Sequence, residues 1–461
     1  MSETEEIVED VPAEDDYSLD NKTVSDVLAA VATGDKPRLD EVLEPLHPAD
    51  IADLLEQVDQ RQRKEIIELA GETIDGEILS EIDEEIRDEV IDFMRPEALA
   101  EAVRDLESDD VVDILEDLDQ PQQEAILDVL DVVDRIAVEQ ALSYPEESAG
   151  RLMQREVVIA PEHWNVGEAI DHLRAHEDLP EQFYHVILVD PRHRPVGYVT
   201  LGKLMGSRRE TPLASLTEDS FRTIPVTQDE GDVAYAFNQY HLISAPVVDE
   251  DGRLVGVITI DDAMIVLDEE HEEDVLRLGG VADETLANTT LQIVRRRFPW
   301  LGVNLLTAIL ASLVISIFED VLSAVVALAV LMPIVASMGG NAGTQSMTVA
   351  VRALATRDLT GSNALRVIRR EAIAGLLNGA IFAVVMGVVG LIWFGEPMIG
   401  VVIAVAMVIN LLVAGLSGVL VPLALDRFGV DPALASGTFV TTVTDVVGFF
   451  AFLGLASWVL L

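Results

Sequence analysis

Thr441-Thr442-Val443-Thr444-Asp445-Val446-Val447-Gly448 lies in the middle of an apolar stretch, Pro432–Leu461. That stretch is long enough to cross about 30 Å of hydrocarbon. A carboxylate at such depth is costly unless it faces water, a cation or a partner group. No Lys, Arg or His lies within the apolar stretches to pair with Asp445. Its charge is removed either by protonation against a neighbouring helix or by a cation. Surroundings made only of oxygen, with Thr441 one turn away, suit a hard ion such as magnesium, calcium or manganese. Asp445 therefore reads as a cation site, with a protonated, hydrogen-bonded Asp as the competing reading.

Four further apolar stretches precede it, at Phe298–Phe318, Val321–Ala350, Ala372–Phe394 and Met398–Ala424. The second exceeds one span and carries Pro333, Gly339 and Gly340, which predict a kinked or partly unwound helix. Within it, Ser337-Met-Gly-Gly340-Asn341-Ala-Gly-Thr344-Gln345-Ser346 groups glycines with neutral oxygen ligands near one end of the span. Gly340, Asn341, Thr344 and Gln345 read as pore lining, against helix packing and an ordinary kink. The other span glycines, such as Gly375, Gly379, Gly387, Gly390, Gly415 and Gly418, read as close helix packing. Glu371 is placed at a helix start. Arginines flank the spans at Arg295–Arg297, Arg352–Arg370 and Arg427, while the connections at Glu319–Asp320 and Gly395–Pro397 have no Lys or Arg. The positive-inside rule puts the arginine side and everything before residue 298 in the cytosol, and the C-terminus outside.

Charge is divided just as sharply. Residues 291–461 hold nine Arg, no Lys and eight acids, so the other 21 basic and 74 acidic side chains lie in residues 1–290. Only Lys22, Lys36, Lys64 and Lys203 are lysines. This composition is the one a high-salt cytosol selects, because carboxylates keep a surface hydrated. It argues against nucleic-acid binding. The absence of cysteine excludes disulfides and thiolate metal sites. Residues 1–20 read as a disordered acidic tail.

Residues 145–262 contain a repeat of period 59: Val189-Asp190-Pro-Arg-His-Arg194-Pro-Val196-Gly197 matches Val248-Asp249-Glu-Asp-Gly-Arg253-Leu-Val255-Gly256. Each copy reads strand, turn, strand, helix. This pattern resembles a tandem pair of CBS domains, at 145–207 and 208–262. Such pairs often bind adenine nucleotides such as ATP, and Thr259 and Asp262 are suited to hold a ribose. The first copy has Thr200-Leu-Gly-Lys203, without the acid. Residues 21–144 are rich in helix formers. Asp50-Ile-Ala-Asp-Leu-Leu55-Glu56 recurs as Asp110-Val-Val-Asp-Ile-Leu115-Glu116, which predicts a small helical solenoid. Residues 263–297 read as a connecting helix on which Glu270, Glu273 and Asp274 share one face. In a protein this acidic, a merely solvated face is the competing reading.

The chain as a whole resembles the MgtE family of magnesium channels and transporters. The resemblance rests on Ser148-Ala-Gly-Arg-Leu-Met153, Ala245-Pro-Val-Val-Asp-Glu250, Gly340–Ser346 with Arg352-Ala-Leu-Ala-Thr-Arg357, and Val430-Asp-Pro-Ala-Leu434 leading to Asp445. It implies an α-helical solenoid N-domain, a tandem CBS (α/β) pair, a connecting plug helix and a five-helix transmembrane bundle at 298–461. It implies a homodimer in the lipid bilayer of the cytoplasmic membrane, with a pore on the two-fold axis and Asp445 present twice. One family pore contact falls on Gly437 and another on Thr441. It further implies regulatory Mg2+ at Asp109, Asp113, Asp262, Glu270, Glu273 and Asp274, although one family acid falls on Ile265 here. The expected function is Mg2+ influx shut off by cytosolic Mg2+. The alternatives are transport of another divalent ion (Co2+ or Mn2+), or a CBS-regulated membrane regulator without transport. An enzyme is not expected, since no Walker loop, metal-binding His pair or nucleophile elbow occurs.

Overall fold

The computed structural model describes residues 19–460, except 105, 117, 119, 176–178, 181–182, 219–220, 282–283, 285–287 and 289, and except the side chains of 84, 85, 96 and 97. The acidic tail, apart from residues 19 and 20, lies outside the described residues. The chain divides into two compact units, Met1–Asp268 and Glu269–Leu461.

The first unit opens with helices α1 (Asn21–Thr33), α2 (Lys36–Leu43), α3 (Pro48–Gln57), α4 (Gln60–Ala70), α5 (Gly76–Ser80), α6 (Glu84–Phe93), α7 (Pro96–Arg104), α8 (Ser108–Glu116), α9 (Gln120–Leu127) and α10 (Val132–Ala141). Part of the chain's acid excess is used at helix starts. Asp20, Asp35, Asp59, Asp75 and Asp131 each accept a hydrogen bond from the first turn of the helix that follows. The solenoid repeat is visible in its bonds. Buried Arg63 donates to the Leu55 carbonyl at 2.7 Å, and 60 residues on Gln123 donates to the Leu115 carbonyl at 2.7 Å. Arg63 pairs with Glu89, and 24 residues later Arg87 pairs with Asp113. Leu39, Leu54, Leu55, Ile66, Ile114 and Leu115 fill the continuous core.

Two three-stranded sheets follow: β1 (Ile159–Pro161), β2 (His185–Val189) and β3 (Pro195–Thr200), then β4 (Ile224–Pro225), β5 (Ser244–Val248) and β6 (Leu254–Thr259). In each, the first pair is parallel and the second antiparallel. Helices α11 (Val166–Ala175), α12 (Leu201–Gly206) and α13 (Glu230–Tyr240) accompany them. The repeat holds atom for atom in the turns: Asp190 accepts from Arg192 N and Arg194 N, and Asp249 accepts from Asp251 N and Arg253 N. The equivalent turn residues His193 and Gly252 both have positive φ, 61° and 75°. The two copies meet where equivalent strand ends touch, the His185 ring hydrogen-bonding Ser244.

Helix α14 (Ile260–Leu278) starts directly after β6 and ends at Gly279-Gly280. Gly280 has φ +74°, and the Val281 amide donates to the Leu276 carbonyl, a left-handed cap. The single connecting helix expected over 263–297 is therefore corrected: it stops at Leu278, and residues 290–297 belong to the next helix.

The second unit contains α15 (Thr290–Ile317), α16 (Glu319–Ala324), α17 (Ala327–Ala355), α18 (Ala364–Phe394), α19 (Pro397–Arg427) and α20 (Pro432–Leu460). All but α16 are long and apolar enough to cross a membrane, giving five candidate spans. The expected unwinding of the second span is not found. α17 is helical throughout Pro333, Gly339 and Gly340, and Ser337–Ser346 lies at its middle, not near its end. Its glycines serve close approach instead: a Cβ at Gly339 would fall 2.4 Å from the amide of Asn410 on α19. Packing also explains the α18–α19 glycines, since Cβ atoms at Gly375 and Gly379 would collide with the backbone at Leu411 and Val408. Because α18 begins at Ala364, Glu371 lies about two turns inside it, not at its start.

Candidate metal centres

In the bundle, α17 and α20 run antiparallel and touch at Gly343, where a Cβ would lie 2.6 Å from Val440 Cγ1 and 3.5 Å from Thr444 Cγ2. Farther along, Gly339 and Gly448 both abut Asn410, a fully buried residue. Asn410 Nδ2 donates to the Val335 carbonyl at 2.7 Å, while its Oδ1 has no hydrogen-bond partner among the described residues. Val440, Thr444 and Gly448 thus form the packed face of α20.

Gly437, Thr441 and Asp445 follow at intervals of four on another face, and all three are partly exposed. Thr441 Oγ1 donates to the Gly437 carbonyl at 3.0 Å. Beyond the Gly437 Cα there is open space. On α17, Gly340 also faces open space, and Asn341, Thr344 and Gln345 are exposed beside the buried Gly343. Asn341 Nδ2 donates to the Ser337 carbonyl at 2.9 Å. Gln345 lies elsewhere: with Ser346, Glu371 and Asn378 it borders a cavity between α17 and α18.

Four of the six expected regulatory acids fall into two clusters, Asp109 with Asp262 and Glu273 with Asp274. In the first unit, Asp109 at the start of α8 and Asp262 at the start of α14 come together with Glu107, Asp110, Asp261 and Glu156. Burial raises Glu107, Asp110 and Asp262 each to about 7, and mutual repulsion adds to it. Asp109, 8% exposed, is raised well above the usual carboxylate range by burial and then by Asp262. Ser108 Oγ donates to Glu156 at 2.9 Å, and Gln154 donates to Glu107. Asp113 is engaged differently, in the ion pair with buried Arg87. Thr259 Oγ1 donates to Asp262 Oδ2 at 2.7 Å, so the two residues suited to a ribose are bonded to each other.

The second cluster gathers around Arg277 in the second unit. Its guanidinium lies 2.6 Å from Glu273 and 3.3 Å from Asp431, in the connection before α20. Burial and then Asp431 push the Asp274 carboxyl up. Glu270 is exposed on the same helix.

Among the described residues no three His, Asp or Glu side chains converge closely enough to hold a bare metal ion. A hydrated Mg2+ needs less, since it keeps several waters and is held by one or two carboxylates. Acids whose charge is disfavoured by burial and by one another are suited to such an ion.

Reading single acids missed Glu107, Asp110, Asp261, Glu156, Asp431 and Arg277. Among 82 Asp and Glu residues none of these acids stands out. The signal available was the spacing of Glu107 and Asp110 around Asp109, and Asp261 beside Asp262.

A divalent cation transporter family profile matches residues 332–455, an MgtE intracellular N domain profile matches 46–147, and CBS domain profiles match 149–210 and 214–269. The magnesium transporter MgtE of Thermus thermophilus is 34% identical over 449 residues, 96% of this chain and 99% of that protein. The MgtE of Bacillus subtilis is 29% identical over 419 residues, 90% and 92% of the two chains. A solved cytosolic domain of the Mg2+ channel MgtE in complex with ATP is 31% identical and covers 53% of this chain and 100% of its own, with a TM-score of 0.49.

Proposed function

The chain belongs to the MgtE family of divalent cation transporters, and we propose that it conducts Mg2+ into the cytosol as a homodimer and closes when cytosolic Mg2+ rises. The observation that carries this reading is the stripe Gly437–Thr441–Asp445. It is the partly exposed stripe of a helix whose adjacent stripe, Val440–Thr444–Gly448, is packed against α17 and Asn410. A carboxylate at that depth is stable when a cation passes it. A second copy of the chain would double the single charge around one ion, with Asn341 and Thr344 adding neutral oxygens and Gly340 leaving room for the ion's water.

Closure follows from the acid clusters. At low Mg2+ the buried acids repel one another. Hydrated Mg2+ at Asp109 and Asp262, with Glu107 and Asp110 beside them, offsets that repulsion and holds α8 against the start of α14. Mg2+ near Glu273, Asp274 and Asp431 would hold the end of α14 against the connection before α20. The N-terminal unit lies on the cytosolic side and the C-terminus outside, as the arginines indicate. An adenine nucleotide is the further ligand that the CBS pair would take, at Thr259 and Asp262.

Uptake of Mg2+ into proteoliposomes loaded with a magnesium dye tests the reading. Uptake that disappears in Asp445→Ala and is suppressed by millimolar Mg2+ on the regulatory side is expected. A folded dimer with no uptake in any condition sinks the channel. Equal uptake of Co2+ or Mn2+ would shift the substrate.

A further inference from the structure

Glu371 lies about two turns inside α18, and the pore reading gives it no role. Two close approaches fix its surroundings. A Cβ at Gly415 would sit 2.8 Å from the Glu371 carbonyl oxygen, and a Cβ at Gly418 would sit 2.6 Å from Ser346 Cβ. α18 and α17 are thus each drawn onto α19 within one turn of it. There Ser346 Oγ donates to Glu371 Oε2 at 3.0 Å across the gap.

The gap is not filled. A cavity of about 200 Å³ borders Ser346, Asp358, Arg370 and Glu371, and one of about 160 Å³ borders Gln345, Ser346, Glu371 and Asn378. Each has room for several waters. Among the described residues, Glu371 is the only charged wall of the smaller cavity, and the larger one adds Asp358 and Arg370. Arg370 approaches the other Glu371 oxygen only at 3.5 Å and is 66% exposed, so it neutralises the acid weakly. Gln345 of α17 and Asn378 of α18 are exposed and border the smaller cavity at membrane depth, where polar groups are costly unless they meet water or an ion.

We propose that Glu371 and Ser346, with the side-chain amides of Gln345 and Asn378, form a second divalent-cation site, which takes hydrated Mg2+ between α17 and α18. A carboxylate, neutral side-chain oxygens and room for retained water are what that ion requires. The site is separate from the Asp445 stripe, because α17 meets α20 through Gly343. It lies about one turn nearer the arginine-bearing end, since Ser346 follows Gly343 on α17. Only the identity of the ion rests on the transport reading.

The chain has no cysteine, so a single Val349→Cys, whose side chain borders both cavities, reports on them alone. The full-length protein is labelled with a cationic methanethiosulfonate reagent, with and without millimolar Mg2+. Mg2+ is expected to slow labelling several-fold. Protection should vanish in Glu371→Gln, weaken in Ser346→Ala, and persist in Glu371→Asp and in Asp445→Asn. Protection that survives Glu371→Gln overturns the site, because it then comes from a distant Mg2+-driven change. Absence of labelling or of protection at both Val349→Cys and Ala374→Cys also overturns it. The Asp445→Ala uptake assay fails or succeeds independently, so the pore reading and the second site are judged apart.

Discussion

Gly343 of α17 and Val440 of α20 are so close that a Cβ on the glycine would fall 2.6 Å from Val440 Cγ1. The Val440 side chain is β-branched and fully buried, so it has little freedom to retreat. This contact sets the spacing between the two helices that carry the candidate pore residues.

Gly343→Ala is therefore expected to destabilise the bundle by about 1–3 kcal/mol, the usual cost of overpacking. Thermal unfolding of the purified protein measures it. The double substitution Gly343→Ala with Val440→Ala should recover part of the loss, because the two changes exchange volume at one contact.

Asn410→Ala should cost about 1–3 kcal/mol, because it removes the bond to the Val335 carbonyl and leaves a void between Gly339 and Gly448. The same unfolding assay reads it. If α17 and α20 depend on this side chain for their alignment, Mg2+ uptake falls together with stability.

The acid cluster predicts a pH dependence with a definite sign. The folded state raises Glu107, Asp110 and Asp262 to about 7, from ordinary values of 4.5 for Glu and 3.8 for Asp. A raised carboxyl favours the folded state fully below its unfolded value, and that contribution is lost as pH climbs to the folded value. Without Mg2+, the melting temperature should therefore drop between pH 5 and pH 8. Mg2+ at pH 8 should restore it, and Asp262→Asn should flatten both responses. An identical pH profile in Asp262→Asn would remove this cluster from the explanation.

Arg277→Ala should change stability little, since both of its ion pairs are partly exposed. It should change gating more. Without the guanidinium, Glu273, Asp274 and Asp431 have lost their nearest cation, so uptake at low Mg2+ rises and suppression needs less Mg2+. A titration of uptake against Mg2+ on the regulatory side measures both shifts.

Much of this architecture is legible in the residues one at a time. Apolar runs near 30 residues in α18, α19 and α20 have one physical solution in a bilayer, and arginine placement orders their connections. The 59-residue repeat dictates two equal β-turn-β units, down to Asp190 and Asp249 bonding the same two turn amides. Asp445 stands out because it is a charge where charge is expensive. The acid cluster does not stand out, because Asp109 resembles dozens of other acids until burial and Asp262 raise its pKa.

The sequence by itself determined the spans, the duplicated CBS module, the solenoid period and the singular acid of the last helix. These follow from local periodicity and from the cost of placing polar groups in hydrocarbon. Tertiary structure decided what the glycines do. Gly339 looked like a break in a helix and, like Gly343, is a point of contact, because Asn410 and Val440 fill the space where their side chains would be. It also decided that Glu371 is an interior residue bonded to Ser346 instead of a helix-start charge, since Gly415 and Gly418 bring two helices together around it. Such outcomes depend on which surfaces meet across distant segments, and no local pattern carries that information.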